Sequence, residues 1–451
     1  MTSALRSEWR KRFNAFWLAQ TVGGIGSAYL PFGLGLFAVT ELHADASDMS
    51  ALAAASLLPK VFITLHAGAY VEKLGRWRSM ILANVVELAV WSGALIICVS
   101  HGATIPLLLA VAFCTESARM VNVVAFQSVT PMIVPDAELR SANAKFGVSE
   151  SLAQFAGPLA GSWFFAVVGA SISLAAAVGM VAVLAVALTI LRLPEAPSPS
   201  VRRTSVTKLV LEGLRYVVTD RYLRWIAFAN LSTNCFLAWI GALWLVFLAR
   251  DIGWQPQVIG LVGAVGSLGG LMGGPVALWL TRRLGDGRTL LCFAIAYAPG
   301  YALAVLPVPE AWRTVLVTSG LLVVMTALVG YNVVQRTLRQ TISMPETLAR
   351  VNASMRWFSA LAAPLGALLG GIAAAALGVQ GGLVVGIAGL VAPGLVLLLS
   401  PLRQVEAVAE TTSATDAAPA QENHASPARA NPRSIRICLP TPYESIWVKN
   451  S

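Results

Sequence analysis

Charge is what this sequence has least of. Only 12% of its 451 residues are Asp, Glu, Lys or Arg, against about 25% in soluble domains, which excludes an ordinary water-soluble fold. Cysteine is scarce too. Of five, Cys98, Cys114, Cys235 and Cys292 fall inside apolar runs and Cys438 lies near the C-terminus, so neither a metal spacing nor a disulfide framework is present. The sequence shows no ATP-binding loop, no cluster of metal ligands and no nucleophile beside a base. Neither enzymatic chemistry nor a cofactor is therefore expected. A cleavable signal peptide is not expected either, because the first apolar run is too long for one and lacks a cleavage site.

What the chain has is apolar length. It is 57% hydrophobic, with a mean hydropathy of +0.71. Runs long enough to cross a bilayer, which takes about 20 residues, lie near 14–40, 49–70, 79–100, 104–128, 141–168 and 171–192. A second set lies near 223–249, 257–280, 289–307, 312–334, 354–377 and 381–401. The predicted fold is an all-α membrane protein of twelve transmembrane helices in two six-helix halves, 14–192 and 222–402. Residues 1–13 and the 193–221 linker flank the first half, and 403–451 reads as a disordered tail rich in Ala, Thr, Ser and Pro. Within the linker, Leu209, Val210, Leu214, Val217 and Val218 recur at helical spacing between polar residues. That describes an amphipathic helix, either lying on the membrane or serving as a solvated connector.

The net charge of +10 is not a nucleic-acid footprint, because the bases sit in short loops. Arg6, Arg10, Lys11, Arg12, Arg140, Lys145, Arg202, Arg203, Lys208, Arg282, Arg283 and Arg288 all fall on one side of the membrane. The opposite loops hold only Arg250 and Arg313. By the positive-inside rule both termini and the linker are expected in the cytoplasm.

One polar stretch stands out between the second and third runs: Gly68, Glu72, Lys73, Gly75, Arg76 and Arg78 in the order Gly-x-x-x-acid-base-x-Gly-Arg-x-Arg. An internal repeat accompanies it. Leu139, Asn143 and Ala144 reappear as Leu348, Asn352 and Ala353, and Lys73-Leu74-Gly75 reappears as Arg283-Leu284-Gly285. Two parallel repeats are the plan of many carriers, with a substrate site near the midplane. The loop resembles the signature of the major facilitator superfamily, with Glu72 where that family usually has Asp.

Further pieces resemble its macrolide-efflux and enterobactin-exporter branch. They are Phe16-Trp17-Leu18-Ala19-Gln20-Thr21, Val134-Pro135, Ser151 to Pro158 and Glu212 to Tyr216. In the fifth run, Gly157, Pro158 and Gly161 resemble the exporters' bend, although small-residue packing alone would also use them. The resemblance implies a multi-pass protein of the inner (plasma) membrane, monomeric, expelling a small amphipathic molecule such as a drug or siderophore in exchange for protons. A proton-coupled importer and a transport-inactive receptor or scaffold on the same fold stay open.

The charges depart from that branch. Ser27 stands where its first helix often has Asp, and Asn84 and Glu87 stand where its third often has Asp and Arg. Coupling must therefore be read from this chain's own ionisable residues, which are costly at membrane depth and functional by default. Lys60, Glu87, Glu116, Arg119 and Glu150 fall about 12–18 Å deep at about 1.5 Å per residue. Either they form a static ion-pair layer, or one of the three acids is left without a base. Burial disfavours the charged form, so such an acid would hold a proton until the cavity opened to water; Glu150 is the expected one. Gln20, Tyr29, Asn122, Gln154, Asn230 and Asn234 are candidate cavity residues, though Asn230 and Asn234 could merely bond between helices. His66 reads as structural, and Trp239 and Trp244 as packing or as a substrate platform.

Overall fold

A computed structural model describes residues 3–100, 102–134, 138–191, 206–343 and 345–404. The tail from 405 onward and the whole Pro-rich part of the linker lie outside the described residues. The described secondary structure is helical throughout. The first half comprises α1 (Ser3–Thr40), α2 (Ala46–Leu74), α3 (Arg76–Ser100), α4 (Ile105–Ile133), α5 (Leu139–Val168) and α6 (Ala170–Leu191). The linker helix is α7 (Val206–Thr219). The second half comprises α8 (Leu223–Val246), α9 (Pro256–Ser267), α10 (Gly269–Leu284), α11 (Asp286–Val305), α12 (Glu310–Ile342), α13 (Pro345–Gly389) and α14 (Val391–Leu398).

Ten stretches among the described residues are long and apolar enough to cross a membrane. The last of them holds two passes, because α13 turns at Gly378, where φ is +76°. With α5, whose apolar part is the shorter Ala156–Val168, the passes number twelve. The eighth is shared between α9 and α10, which meet at Leu268.

Local chemistry sets the turns. Asp45 caps α2 by accepting from the Asp48 amide at 2.8 Å, while Asp48 accepts from the Asp45 amide at 3.0 Å, which satisfies two otherwise orphan donors. At the opposite end of the bundle, α2 gives way to α3 at Gly75 with φ +92°, and α10 to α11 at Gly285 with φ +82°. Only glycine adopts such angles cheaply. The repeat seen in the sequence is thus a repeat of backbone conformation.

Within the first half α1 packs on α5 and α6, and α4 on α2 and α3; within the second α8 packs on α13, and α12 on α10 and α11. Large apolar side chains remain on the outside, among them Ile190, Ile372 and Leu399, as lipid contact requires. Between the halves, α2 lies along α13 and α5 along α9. The tightest approaches across this seam are at the end remote from the linker. There Ser50 of α2 meets Gly371 of α13, and Ser162 and Pro158 of α5 meet Gly260 of α9. Ala54, Ala242 and Ala367 form a small apolar cluster beside them. Small residues let backbones approach where lipid supplies no hydrophobic drive.

Candidate functional site

A cavity of about 420 Å³ lies between the halves beneath this seam. The first half contributes Phe32, Met49, Leu52, Ser56, Trp91, Thr115 and Glu116; the second contributes Trp244, Leu248, Gly263, Ser267, Tyr301 and Met325. The walls are mostly aliphatic, with the rings of Phe32, Trp91, Trp244 and Tyr301 set among them; Trp244 and Tyr301 meet edge to face at 5.4 Å between centroids. Glu116 is the one charged residue in the lining among the described residues.

Glu116 is buried on α4 and paired with Arg119 one turn on. The arginine Nε lies 3.0 Å from Oε1, and Nη2 donates to Oε2 at 3.3 Å. Arg119 is 39% exposed at its side chain against 7% for Glu116, so the pair is anchored by its acid. Lys60, half-buried on α2, acts electrostatically on both. Glu87 on α3 is only 3% exposed, and its Oε1 accepts from the Ser27 hydroxyl of α1 at 3.0 Å. Among the described residues no base lies within ion-pair distance of it. Glu150 is exposed on α5. The neighbouring Ser149 turns inward and accepts from the Trp17 indole and the Thr21 hydroxyl, each at 2.8 Å. The expected five-residue layer is therefore divided. Glu116, Arg119 and Lys60 form one group, Glu87 sits with Ser27, and Glu150 is exposed on α5.

The bend residues are where α1 docks. Gly157 lies against Ala28 and the Tyr29 amide, and the Tyr29 ring covers Gly161. The Tyr29 hydroxyl shares a 2.8 Å hydrogen bond with Ser173 of α6, which places this side chain in the helix packing and not in the cavity wall. Asn230 donates to Gln335 of α12 at 2.9 Å, and Gln335 donates to Asn332 at 3.2 Å. Asn234 donates to the Asn230 carbonyl of its own helix at 2.9 Å. The Asn230–Gln335 bond thus joins α8 to α12 within the second half. Trp239 donates to the Gly382 carbonyl at 2.8 Å and is packing; Trp244 lines the cavity. Gln20 and Asn122 are half-buried, with the Gln20 Nε2 and Asn122 Oδ1 unpartnered among the described residues.

In the loop, Lys73 and Arg78 are exposed and Arg76 is half-buried. The side chains of Gln154, Glu72 and His66, and any packing of Gly68, lie outside the described residues. Sequence reasoning missed Trp91, Tyr301, Gly260 and Gly371. An isolated aromatic or glycine in an apolar helix carries no signal of the partner it will meet. Among the described residues no group of three His, Cys, Asp or Glu gathers to hold a metal.

Two pseudo-equivalent helical halves around a central cavity define a membrane carrier of the rocking, alternating-access class. The chain belongs to the major facilitator superfamily, and the sequence pattern of its transmembrane secretion effector family matches residues 2–435. It is 26% identical over 389 residues to the multidrug efflux pump Tap of Mycobacterium tuberculosis (strain ATCC 25618 / H37Rv), covering 82% of this chain and 88% of that one. Against Tap of Mycolicibacterium fortuitum it is 26% identical over 360 residues, covering 76% and 84%. Its fold is similar to the crystal structure of the nucleoside transporter NupG, with a TM-score of 0.72 at 13% identity, covering 86% of this chain and 98% of that chain.

Proposed function

We propose that this protein is a proton-coupled exporter of a small amphipathic molecule in the inner (plasma) membrane, acting as a monomer with both termini in the cytoplasm. The observation that carries this reading is the cavity. Its aromatic and aliphatic walls accept an apolar body of variable shape, and Glu116 with Thr115, Ser56 and Tyr301 offers a few polar anchors. Such a lining suits ligands that are mostly apolar with some polarity. The similarity to Tap pumps supports export over import. The Lys/Arg asymmetry supports the orientation, which makes the closed seam the outer gate. Rocking the halves apart at Ser50–Gly371 and Ser162–Gly260 would then expose the cavity to the outside.

The test is flux of ethidium, a fluorescent amphipathic cation, and of a neutral amphipathic dye into inverted membrane vesicles. Accumulation that follows an imposed pH gradient and collapses with a protonophore is the expected result. Loss of dye from the vesicles under the same gradient would mean import. No flux of either dye, from protein shown to be folded, would leave a receptor or scaffold. A reporter that is active only outside the cytoplasm, fused after Ser200, should be silent.

A further inference from the structure

Among the described residues of the first half, Glu87 is a buried acid with an environment unlike that of Glu116. It is enclosed and touches a hydroxyl instead of a base. The helices around it account for its charged neighbours. From α4, Glu116 and Arg119 act on it at a distance, but those two are committed to each other at 3.0 Å. From α2, Lys60 bears on that pair, and α6 has no titratable residue from Ala170 to Leu191. From α1 comes Ser27 alone.

The segment that holds Ser27 is also the one that seats α5. Ala28 and the Tyr29 amide each lie 3.1 Å from where a β-carbon on Gly157 would sit, and the Tyr29 ring rests on Gly161. One residue beyond each of these glycines, Pro158 and Ser162 meet Gly260 at the seam between the halves. A continuous set of contacts thus joins Glu87 to the gate through α1 and α5.

We infer that Glu87 is the group that takes up and releases the exchanged proton, that Ser27 is its positioning residue, and that α1 carries the change to the α5–α9 seam. This rests on the exporter reading above. As a carboxylate, Glu87 accepts from Ser27. On taking a proton from the side to which the cavity is open, its O–H becomes the donor and the Ser27 hydroxyl the acceptor. The hydrogen bond reverses direction, no charge is left behind, and the proton is released when the opposite side opens. A serine suits this role because its hydroxyl both donates and accepts.

The test uses purified full-length protein in lipid nanodiscs and reads the infrared carbonyl stretch of protonated carboxyl groups while pH is varied. A band that appears on acidification and vanishes in Glu87→Gln, but survives in Glu150→Gln, is the expected result. Ser27→Ala, which removes no carboxyl, should keep the band and shift the pH at which it is lost. A band that survives Glu87→Gln in folded protein, or no titrating band in the unaltered protein, overturns the assignment. Gly260→Ala should also shift that pH; an unmoved value removes the relay through α1. Because none of these readings needs a substrate, they separate from the flux test: titration without vesicle transport would sink the exporter reading and leave Glu87 standing.

Discussion

Ser162 of α5 and Gly260 of α9 meet so closely across the seam that a β-carbon on the glycine would collide with the serine side chain. The same holds at the other seam, where a β-carbon on Gly371 would lie 2.6 Å from both Cβ and Oγ of Ser50. Overpacking of this kind costs about 1–3 kcal/mol. Only the state in which the seam is closed bears that cost, so the equilibrium shifts instead of the fold failing. Each ~1.4 kcal/mol is tenfold, and Gly260→Ala or Gly371→Ala should therefore raise the open population at this end roughly ten- to hundredfold. Labelling of a single cysteine at Leu52 by an impermeant thiol reagent applied from that side measures it. Unaltered labelling in a folded variant would show that the seam is not the gate.

These glycines show where sequence reading stops. The spans were legible because a bilayer demands about 20 apolar residues in a row, and the Gly75 and Gly285 turns because a repeated motif marks them. Glu87, Glu116 and Arg119 were conspicuous as charges in apolar runs, and their approximate depth followed from helical rise. Which acid meets which partner was not legible. A shift of about 100° per residue around a helix decides whether Glu150 points into the bundle or out of it, and only packing fixes that rotation. Asn230 illustrates the same gap: cavity and interhelical roles look identical until Gln335 is found opposite.

The cavity owes part of its volume to Gly241 and Gly263. No atom lies within 4 Å of where either would carry a β-carbon. Gly263→Leu should therefore fold, with stability changed by about 0.5–1 kcal/mol in the favourable direction from helix propensity. It should also narrow the range of transported molecules by size, bulky dyes losing flux first while small ones persist. Equal loss across a graded series of dyes would mean that this glycine serves the motion and not the cavity.

Arg119 should matter more for holding the acid than for its own exposure. Removing it leaves Glu116 buried beside the cavity without its ion-pair partner. A fully buried pair so broken costs about 3–5 kcal/mol; solvent reaching Arg119 reduces the expectation to about 1–3 kcal/mol. Arg119→Ala should lower thermal stability accordingly, and adding Glu116→Ala should recover most of the loss. That recovery is read as the coupling term of a double-mutant cycle in detergent. A double variant no more stable than Arg119→Ala alone would mean that Glu116 does not rely on this partner.

The opposite end of the bundle offers the counterpart of the glycine seam. Glu72 occupies the last turn of α2, just before the Gly75 turn, and α3 begins at once with Arg76. An acid near a helix N-terminus is favoured by about 0.3–1 kcal/mol. We expect Glu72 and Arg76 to latch this end shut when the other opens. Because α2 lies along α13, the same swing that parts Ser50 from Gly371 would bring this end of the seam together. Glu72→Ala should then disfavour the state in which the linker end is closed, raising the population seen in this structure. Gly260→Ala pushes the other way. The two sites lie at opposite ends of the bundle, so their free-energy effects should add to within about 0.5 kcal/mol. Combining them should return Leu52→Cys labelling towards the level of the unaltered protein. If Glu72→Ala leaves labelling unchanged both alone and beside Gly260→Ala, the loop is a topological marker and not a latch.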